Sequence, residues 1–399
     1  MSTQIARQTA RQQTTRMCIV LLTTSHPDYA LIVIDNRDEF ILRPTSRPHW
    51  WTPPSPPAPE HPSHPIDVLS SRDLQRPEKG TWLGITRRGN FAVLTNYRED
   101  GPQPSVAGAR SRGAIVTAWL AADPAEATDA FVHRMLATGE TKGMGGLSLI
   151  CGKLRPRGAS SSSSSGGPKQ NGTAAAAAAA ALPKTHQALD PLAIISNRSD
   201  GVDDVPWICG ERGHVYGLSN TCYAPPDHHD AAAGEPLWPK VADGIALLEK
   251  AMATVAEGAV PDEEALEELL FGILNRDTLP RHPGMKFEDQ VAVLKDSIFI
   301  PPIGDEKHAR EMEAAVRNGH DTKLAEAAVV LKSDERPEQQ GQGFMTGLYG
   351  TQRQTVILVD WDGNVKYKER ALWDASGNPL APGAGDLTFK YQIEGWDSD

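Results

Sequence analysis

The sequence predicts an α+β fold: segments with strand character come in runs of two or more, and helical segments are grouped between them. Three stretches carry that reading. Cys18-Ile19-Val20-Leu21-Leu22 and Tyr29 to Ile34 are apolar, rich in β-branched residues and separated by Ser25-His26-Pro27-Asp28, as in two buried strands joined by a turn. Two helical segments follow one another between Val241 and Leu274 with no strand between them. Near the end, Thr355 to Val359, Asp362-Gly363 and Val365 to Lys368 make a hairpin, because Asp-Gly supplies the positive φ angles of a tight turn.

Taken in order, residues 1–16 hold Arg7, Arg11 and Arg16 with no acid, which predicts a disordered or transit-peptide-like extension. Folded sequence begins at Met17. Eight prolines from Pro48 to Pro65 exclude a regular ladder or helix and predict an extended surface loop. Strands resume at Gly80 to Ile85 and Asn90 to Thr95, around an Arg87-Arg88-Gly89-Asn90 turn. Ala125, Ala127, Phe131, Met135 and Leu136 sit near helical spacing, so Pro124 to Ala137 predicts a helix capped by Asp123. Gly145 to Cys151 reads as the next strand. From Leu154 to Ala188 the chain carries six consecutive serines and an eight-residue alanine tract. Such sequence buries too little surface to offset ordering entropy, which predicts a disordered insertion.

Strands return near Pro191 to Asn197, Trp207 to Gly210 and His214 to Ser219. The helices Val241 to Val255 and Glu264 to Leu274 come next, the second led by Asp262 and Glu263, where a helix N-terminus favours negative charge. Arg281 to Gly343 is polar and shows no assignable period. The prediction is one domain over 17–390, interrupted at 48–65 and 154–188, with a tail over 391–399.

Lys and Arg number 40 against 51 Asp and Glu, a net charge of −11, which argues against a general nucleic-acid binder. No run approaches the ~18–20 apolar residues that cross a bilayer, so no transmembrane segment is expected. Cys18, Cys151, Cys209 and Cys222 lack C-x-x-C spacing, which argues against a disulfide scaffold or zinc knuckle and for a reducing compartment. Asp227-His228-His229-Asp230 lies in a Pro-flanked loop that is solvated by default, so no metal site is predicted.

Cys18 directly follows a methionine and opens a strand. With Met17 removed, its free α-amine, of pKa about 8, would act as a base beside the thiol. With Met17 attached, that nitrogen is an amide and Cys18 is a small buried strand residue. Asn36-Arg37-Asp38-Glu39 ends the second strand, and alternation puts Arg37 and Glu39 on one face, Asn36 and Asp38 on the other. An arginine beside carboxylates neutralises a thiolate or grips an acidic ligand bidentately.

Nine blocks stand in order: Met17-Cys18-Ile19; Asn36-Arg37-Asp38-Glu39 with Phe40 and Arg43-Pro44; Gly80-Thr81-Trp82-Leu83-Gly84-Ile85; Leu94-Thr95-Asn96-Tyr97-Arg98; Ser111-Arg112-Gly113; Tyr216-Gly217-Leu218-Ser219-Asn220; Trp238-Pro239-Lys240; Tyr349-Gly350-Thr351; and the last hairpin ending at Glu369-Arg370. Together they resemble the NRDE family, also called the TANGO2 (transport and Golgi organisation) family. The resemblance implies an αββα sandwich similar to the N-terminal-nucleophile hydrolases, two stacked sheets between helix layers. In the related bile-salt and penicillin-V amidases an Arg and an Asp on the second strand flank the cysteine, and asparagines form the oxyanion hole and hold the amine. By position the resemblance gives the first roles to Arg37 and Asp38 beside Cys18, and the second to Asn96 and Asn220. The family usually carries Arg directly after Tyr-Gly-Thr, whereas here Gln352 stands there and Arg353 follows. One place on a strand would turn Arg353 to the other face.

The resemblance further implies a role in Golgi organisation, secretion, and lipid and haem homeostasis, in the cytoplasm, at the Golgi or in mitochondria. One reading is a binding protein whose pocket holds an amphipathic ligand, haem or an acyl-CoA, as cargo rather than cofactor. Asn36, Arg37, Asp38 and Glu39 would line it, Arg37 meeting the anionic group. Peripheral membrane association is compatible with that reading. The alternative is an amidase or thioesterase in which Cys18 attacks, its own amine shuttles the proton, and Asn96 and Asn220 donate to the oxyanion. A third is a Golgi scaffold that recruits partners through Pro53 to Pro65.

Overall fold

The computed structural model describes residues 17–53, 66–96, 111–141, 146–158, 187–199, 201–221, 223, 237–318 and 346–396. Residues 1–16, 54–65, 159–186 and 397–399, and with them the expected extension, most of the Pro-rich loop and most of the low-complexity insertion, lie outside the described residues, as does Asp227 to Asp230.

Two antiparallel sheets form the centre. The first contains β1 (Ile19–Thr23), β2 (Tyr29–Phe40), β10 (Val215–Leu218), β11 (Tyr349–Asp360), β12 (Asn364–Ala371) and β13 (Asp386–Gln392), in the order β10-β1-β2-β11-β12-β13. The second runs in chain order through β3 (His49–Trp51), β4 (Val68–Ser70), β5 (Leu83–Thr86), β6 (Asn90–Asn96), β7 (Leu147–Lys153), β8 (Leu192–Ser196) and β9 (Trp207–Ile208).

Strand alternation builds the layers. On β2, Leu31 and Val33 turn toward the second sheet and join Leu69, Ile85, Phe91, Val93 and Ile150 in a core between the sheets. Ile32 and Ile34 turn the other way, onto α3 (Pro239–Ala256) and α4 (Glu263–Leu274), where Leu248, Leu270 and Phe271 meet them. The second sheet likewise buries Ala92, Leu94 and Leu149 against α1 (Gly113–Leu120) and α2 (Thr128–Ala137). The result is four layers, helix, sheet, sheet, helix, and the α+β expectation stands. Asp262 caps α4 by accepting from the Ala265 amide at 2.8 Å.

The structure departs from the expectations in places with clear causes. The second strand, read over Tyr29 to Ile34, runs on through Asn36 to Glu39 and ends at Phe40, because β11 pairs with it as far as Tyr349. The proline segment does admit a short strand, since His49 to Trp51 is free of proline and pairs with β4. The helix expected from Pro124 starts at Thr128, because Asp123 spends its carboxylate on the Ala125 amide in a preceding turn. α1 was hidden by its β-branched composition, and the polar stretch after Arg281 holds α5 (Phe287–Ala292) and α6 (Glu306–Asn318). The core also extends past residue 390: Ile393 and Trp396 are buried between the sheets, and the Trp396 indole donates to the Trp361 carbonyl at 2.9 Å.

One close approach explains two glycines. A Cβ on Gly80 would lie 2.8 Å from the backbone carbonyl carbon of Gly113, and one on Gly113 would lie 3.1 Å from the Thr81 backbone. Backbone cannot step aside as a side-chain tip can, so the loop before β5 and the start of α1 touch only because both residues lack a Cβ. Gly80→Ala is expected to cost about 2–3 kcal/mol, within the range for overpacking. Urea unfolding checks this; a midpoint equal to wild type would show that the contact yields freely.

Candidate functional site

β2 outruns β1. Their pairing begins at Ile19 opposite Asn36, so Arg37 to Phe40 project beyond it and face Met17 and Cys18, which precede β1. Alternation then splits the four polar residues between two faces of the first sheet. Asn36 and Asp38 share the outer face with Ile32 and Ile34, whereas Arg37 and Glu39 share the inner face with Leu31, Val33 and Asp35.

On the outer face Asn36 is a fastener. Its amide donates to the Leu274 carbonyl at 2.8 Å and the Ile298 carbonyl at 3.0 Å, tying the end of α4 and the following loop to the sheet. Asp38 is enclosed: Oδ1 accepts from the Thr351 hydroxyl at 2.7 Å and Oδ2 has no hydrogen-bond partner among the described residues. Around it, the backbone of Met17 is held by side chains. The Met17 amide donates to the Tyr349 hydroxyl at 2.8 Å, that hydroxyl donates to the Asp38 carbonyl at 3.2 Å, and Lys240 Nζ donates to the Met17 carbonyl at 3.0 Å. Lys240 has no exposed surface, and neither does Met17, whose side chain packs with Phe40, Leu279, Leu294, Ile300 and Tyr349.

Cys18 precedes β1 and is buried beside the end of β2. Its Sγ is 4.0 Å from the Asp38 carbonyl oxygen, and its own carbonyl accepts from the Ser219 hydroxyl at 2.7 Å, a hydroxyl that also reaches Asn220 Oδ1 at 3.2 Å. Burial pushes the thiol far above its usual range, and the carboxylates of Asp35 and Asp38 push it further, against a weaker opposing pull from Lys240. The group is therefore a thiol at neutral pH and not a thiolate.

On the inner face Arg37 stands 6 % exposed between the sheets. It donates to Thr45 Oγ1 at 3.2 Å and Gln352 Oε1 at 3.0 Å, and its guanidinium carbon lies 5.0 Å from the centre of the Trp82 ring. Among the described residues it makes no ion pair. Arg43 takes Glu39 at 3.5 Å and Asp73 at 2.7 Å. Glu369 on β12 is shared by Arg47 at 3.4 Å and Arg353 at 3.8 Å and accepts from Ser71 at 2.6 Å.

The position of Arg353 corrects the expectation that one extra residue turns it away. Thr351 pairs with Asp38 and Arg353 with Arg37, so Gln352 is absorbed in a β-bulge. Arg353 therefore lies on the Arg37 face, and Gln352 also reaches Arg37 while its amide donates to the Ile41 carbonyl at 2.9 Å.

Of the residues singled out in the sequence, the structure thus gathers Cys18, Arg37, Asp38, Glu39 and Asn220 around the end of β2. Asn96 ends β6, and alternation groups it with Ala92 and Leu94, on the face turned toward α1. Cys18, Arg37 and Asp38 are adjacent, but Arg37 and Asp38 act from opposite faces of the sheet. Lys240, Tyr349, Glu369 and Trp82 were visible only as members of the blocks that carry the family resemblance, without an assigned role. Asp35 carried no signal at all.

Burial pushes Asp35 up to about 7, with Arg37 opposing the rise, and pushes Asp38 up to about 7, with Lys240 and the Thr351 hydroxyl opposing it. The unfolded chain holds both near 3.9. Between about pH 4 and 7 the folded state thus binds more protons, so stability contributed by these protons is full below about 4 and lost as pH rises through 7. Lowering the pH from 7.5 to 5.5 is expected to raise the unfolding free energy by about 2 kcal/mol per carboxyl. Urea unfolding at the two pH values measures it, and Asp35→Asn should remove about half. A flat profile in wild type would refute it.

The family model described as Transport and Golgi organisation 2 matches residues 17–374. The chain is 27% identical over 369 residues to a Transport and Golgi organization protein 2 homolog of Bos taurus, covering 89% of this chain and 93% of that one. The corresponding homolog of Homo sapiens is 26% identical over 364 residues, covering 90% and 94%. An uncharacterized protein of Saccharomyces cerevisiae is 37% identical over 118 residues, 28% of this chain and only 34% of that protein. Among the described residues no helix is long and apolar enough to cross a membrane.

Proposed function

The chain belongs to the Transport and Golgi organisation 2 family, and from that premise we propose that it is a binding protein that holds an amphipathic, anionic small molecule between its two sheets. The observation that carries this is Arg37: a buried guanidinium without an ion pair among the described residues, one face against Trp82, at the end of an apolar core. A buried cation without a direct ion pair is costly in such a place and gains when an anion comes to it. Haem and acyl-CoA both combine an apolar body with acidic groups and are the candidate cargoes. The fold proposed for this pocket is that of the N-terminal-nucleophile hydrolases, put to binding. The setting is transport and Golgi organisation, after the names of the mammalian relatives, with secretion and lipid or haem homeostasis as the proposed underlying tasks and a cytoplasmic, Golgi-associated or mitochondrial location.

The alternative, amide or thioester hydrolysis by Cys18, needs a free amine on that residue. Set against it is Met17, fully buried and held at both its amide and its carbonyl, with a protonated thiol beyond it. The test is titration of the full-length protein with haem and with palmitoyl-CoA, followed by tryptophan fluorescence. Saturable binding of one of them, weakened at least 30-fold by Arg37→Ala, is expected. No saturation with either ligand would remove the reading. Intact mass of the native protein addresses the alternative: a chain beginning at Cys18 would restore it.

A further inference from the structure

The register of β2 and β11 sets Arg37 directly opposite Arg353. Like charges facing each other across a ladder are destabilising, more so when both are withdrawn from water. Here they are 6 % and 5 % exposed. Neither guanidinium is saturated: Arg37 uses its Nη2 on Thr45 and Gln352, Arg353 its Nη1 on the Trp373 carbonyl at 2.7 Å and the Gln352 carbonyl at 3.3 Å. The Nε of each has no hydrogen-bond partner among the described residues.

The surrounding charges do not resolve the pair. Glu39 and Asp73 are engaged by Arg43, and Glu369 is divided between Arg47 and Arg353. What remains for Arg37 is Asp35, two residues away on the same face of β2, buried and electrostatically coupled to it. Arg47, with a side chain 30% exposed, and the half-buried Trp82 stand where this cluster meets solvent.

We propose that Arg37 and Arg353 together form an oxyanion site for a phosphoryl group, with Asp35 as the resident countercharge that the incoming anion displaces. A carboxylate has two oxygens and is satisfied by one guanidinium fork. Two guanidiniums presented from facing strands match a group with three or more oxygens, which accepts from both at once. Trp82 covers the face of Arg37, leaving its N–H edge for the ligand. The inference rests on the ligand-binding reading above and narrows its anionic end, so that a phosphate-bearing amphiphile fits better than a dicarboxylate one.

The probe is inorganic sulfate, tetrahedral and without a proton to gain or lose near neutrality, compared with propionate by calorimetry on the full-length protein. Sulfate is expected to saturate and to bind at least tenfold more tightly than propionate. Arg37→Lys and Arg353→Lys, which keep the charge and lose the fork, should each weaken sulfate at least fivefold. Asp35→Asn should tighten it at least threefold, a gain that a purely structural role for Asp35 does not produce. Propionate binding as tightly as sulfate, or no saturable sulfate binding by wild type, overturns the site even if the variants fold poorly. Sulfate binding with this pattern but no binding of haem or palmitoyl-CoA would support the site while removing the cargo reading. Cargo binding indifferent to Arg353→Lys in a protein that ignores sulfate would do the reverse.

Discussion

Lys240→Ala is expected to lower the unfolding temperature by about 10 °C. The ammonium is fully buried on α3, and it donates to the carbonyl of Met17 while facing the carboxyl of Asp38. Burial holds the lysine below its ordinary pKa, with Asp38 and Cys18 pulling it back up. Its removal leaves a buried carbonyl without its donor and Asp38 without its nearby cation, a loss of about 3–5 kcal/mol. At about 2–4 °C per kcal/mol for a domain of this size, that gives the stated shift. The chemistry also says how to reverse it. Lys240→Met with Asp38→Asn removes both charges and fills most of the volume, so the double variant should recover more than half of the loss. Calorimetry of the three proteins decides the matter. Additive losses in the double variant would mean that lysine and carboxyl are not coupled through the Met17 peptide.

That cluster also shows where sequence reasoning stops. The period of two in β2 was legible, and it correctly separated Arg37 and Glu39 from Asn36 and Asp38. What alternation does not reveal is the partner of each face. Lys240 comes from a helix two hundred residues away, so no local pattern marks its burial. The bulge at Gln352 was the opposite case. Counting along a strand turned Arg353 outward because the count assumed an unbroken ladder, and an inserted residue restores the phase without leaving a compositional trace. Asp35 was invisible for a third reason: an acid inside an apolar run reads as the strand's end, and only burial next to Arg37 gives it a task. Strands buried on both faces were legible because a continuous apolar run such as Leu31 to Ile34 puts apolar side chains on both sides of a sheet, whereas the four-layer arrangement was implied only by the family resemblance.

Glu369→Ala should cost about 3–5 kcal/mol and lower the unfolding temperature by about 10 °C, for a different reason. Glu369 is 2 % exposed and is the one carboxylate within 4 Å of Arg353 among the described residues; Arg47 and the Ser71 hydroxyl depend on it as well. Burial already drags Arg353 down to about 9, with Glu369 the largest force resisting. Without that carboxylate, Arg37 and Arg353 face each other with little negative charge between them. The protein then needs an anion more than wild type does, and the deficit should be open to chemical rescue. Formate or sulfate at tens of millimolar should return a measurable part of the lost stability to Glu369→Ala, because ligand that binds only the folded state stabilises it in proportion to occupancy. Wild type should respond less, and Arg353→Met with Glu369→Leu should be both more stable than Glu369→Ala and indifferent to the anion. The comparison is made by thermal unfolding at constant ionic strength, with chloride as control. Equal shifts with chloride and with the oxyanions would reduce the effect to screening and leave the arginine pair without a ligand.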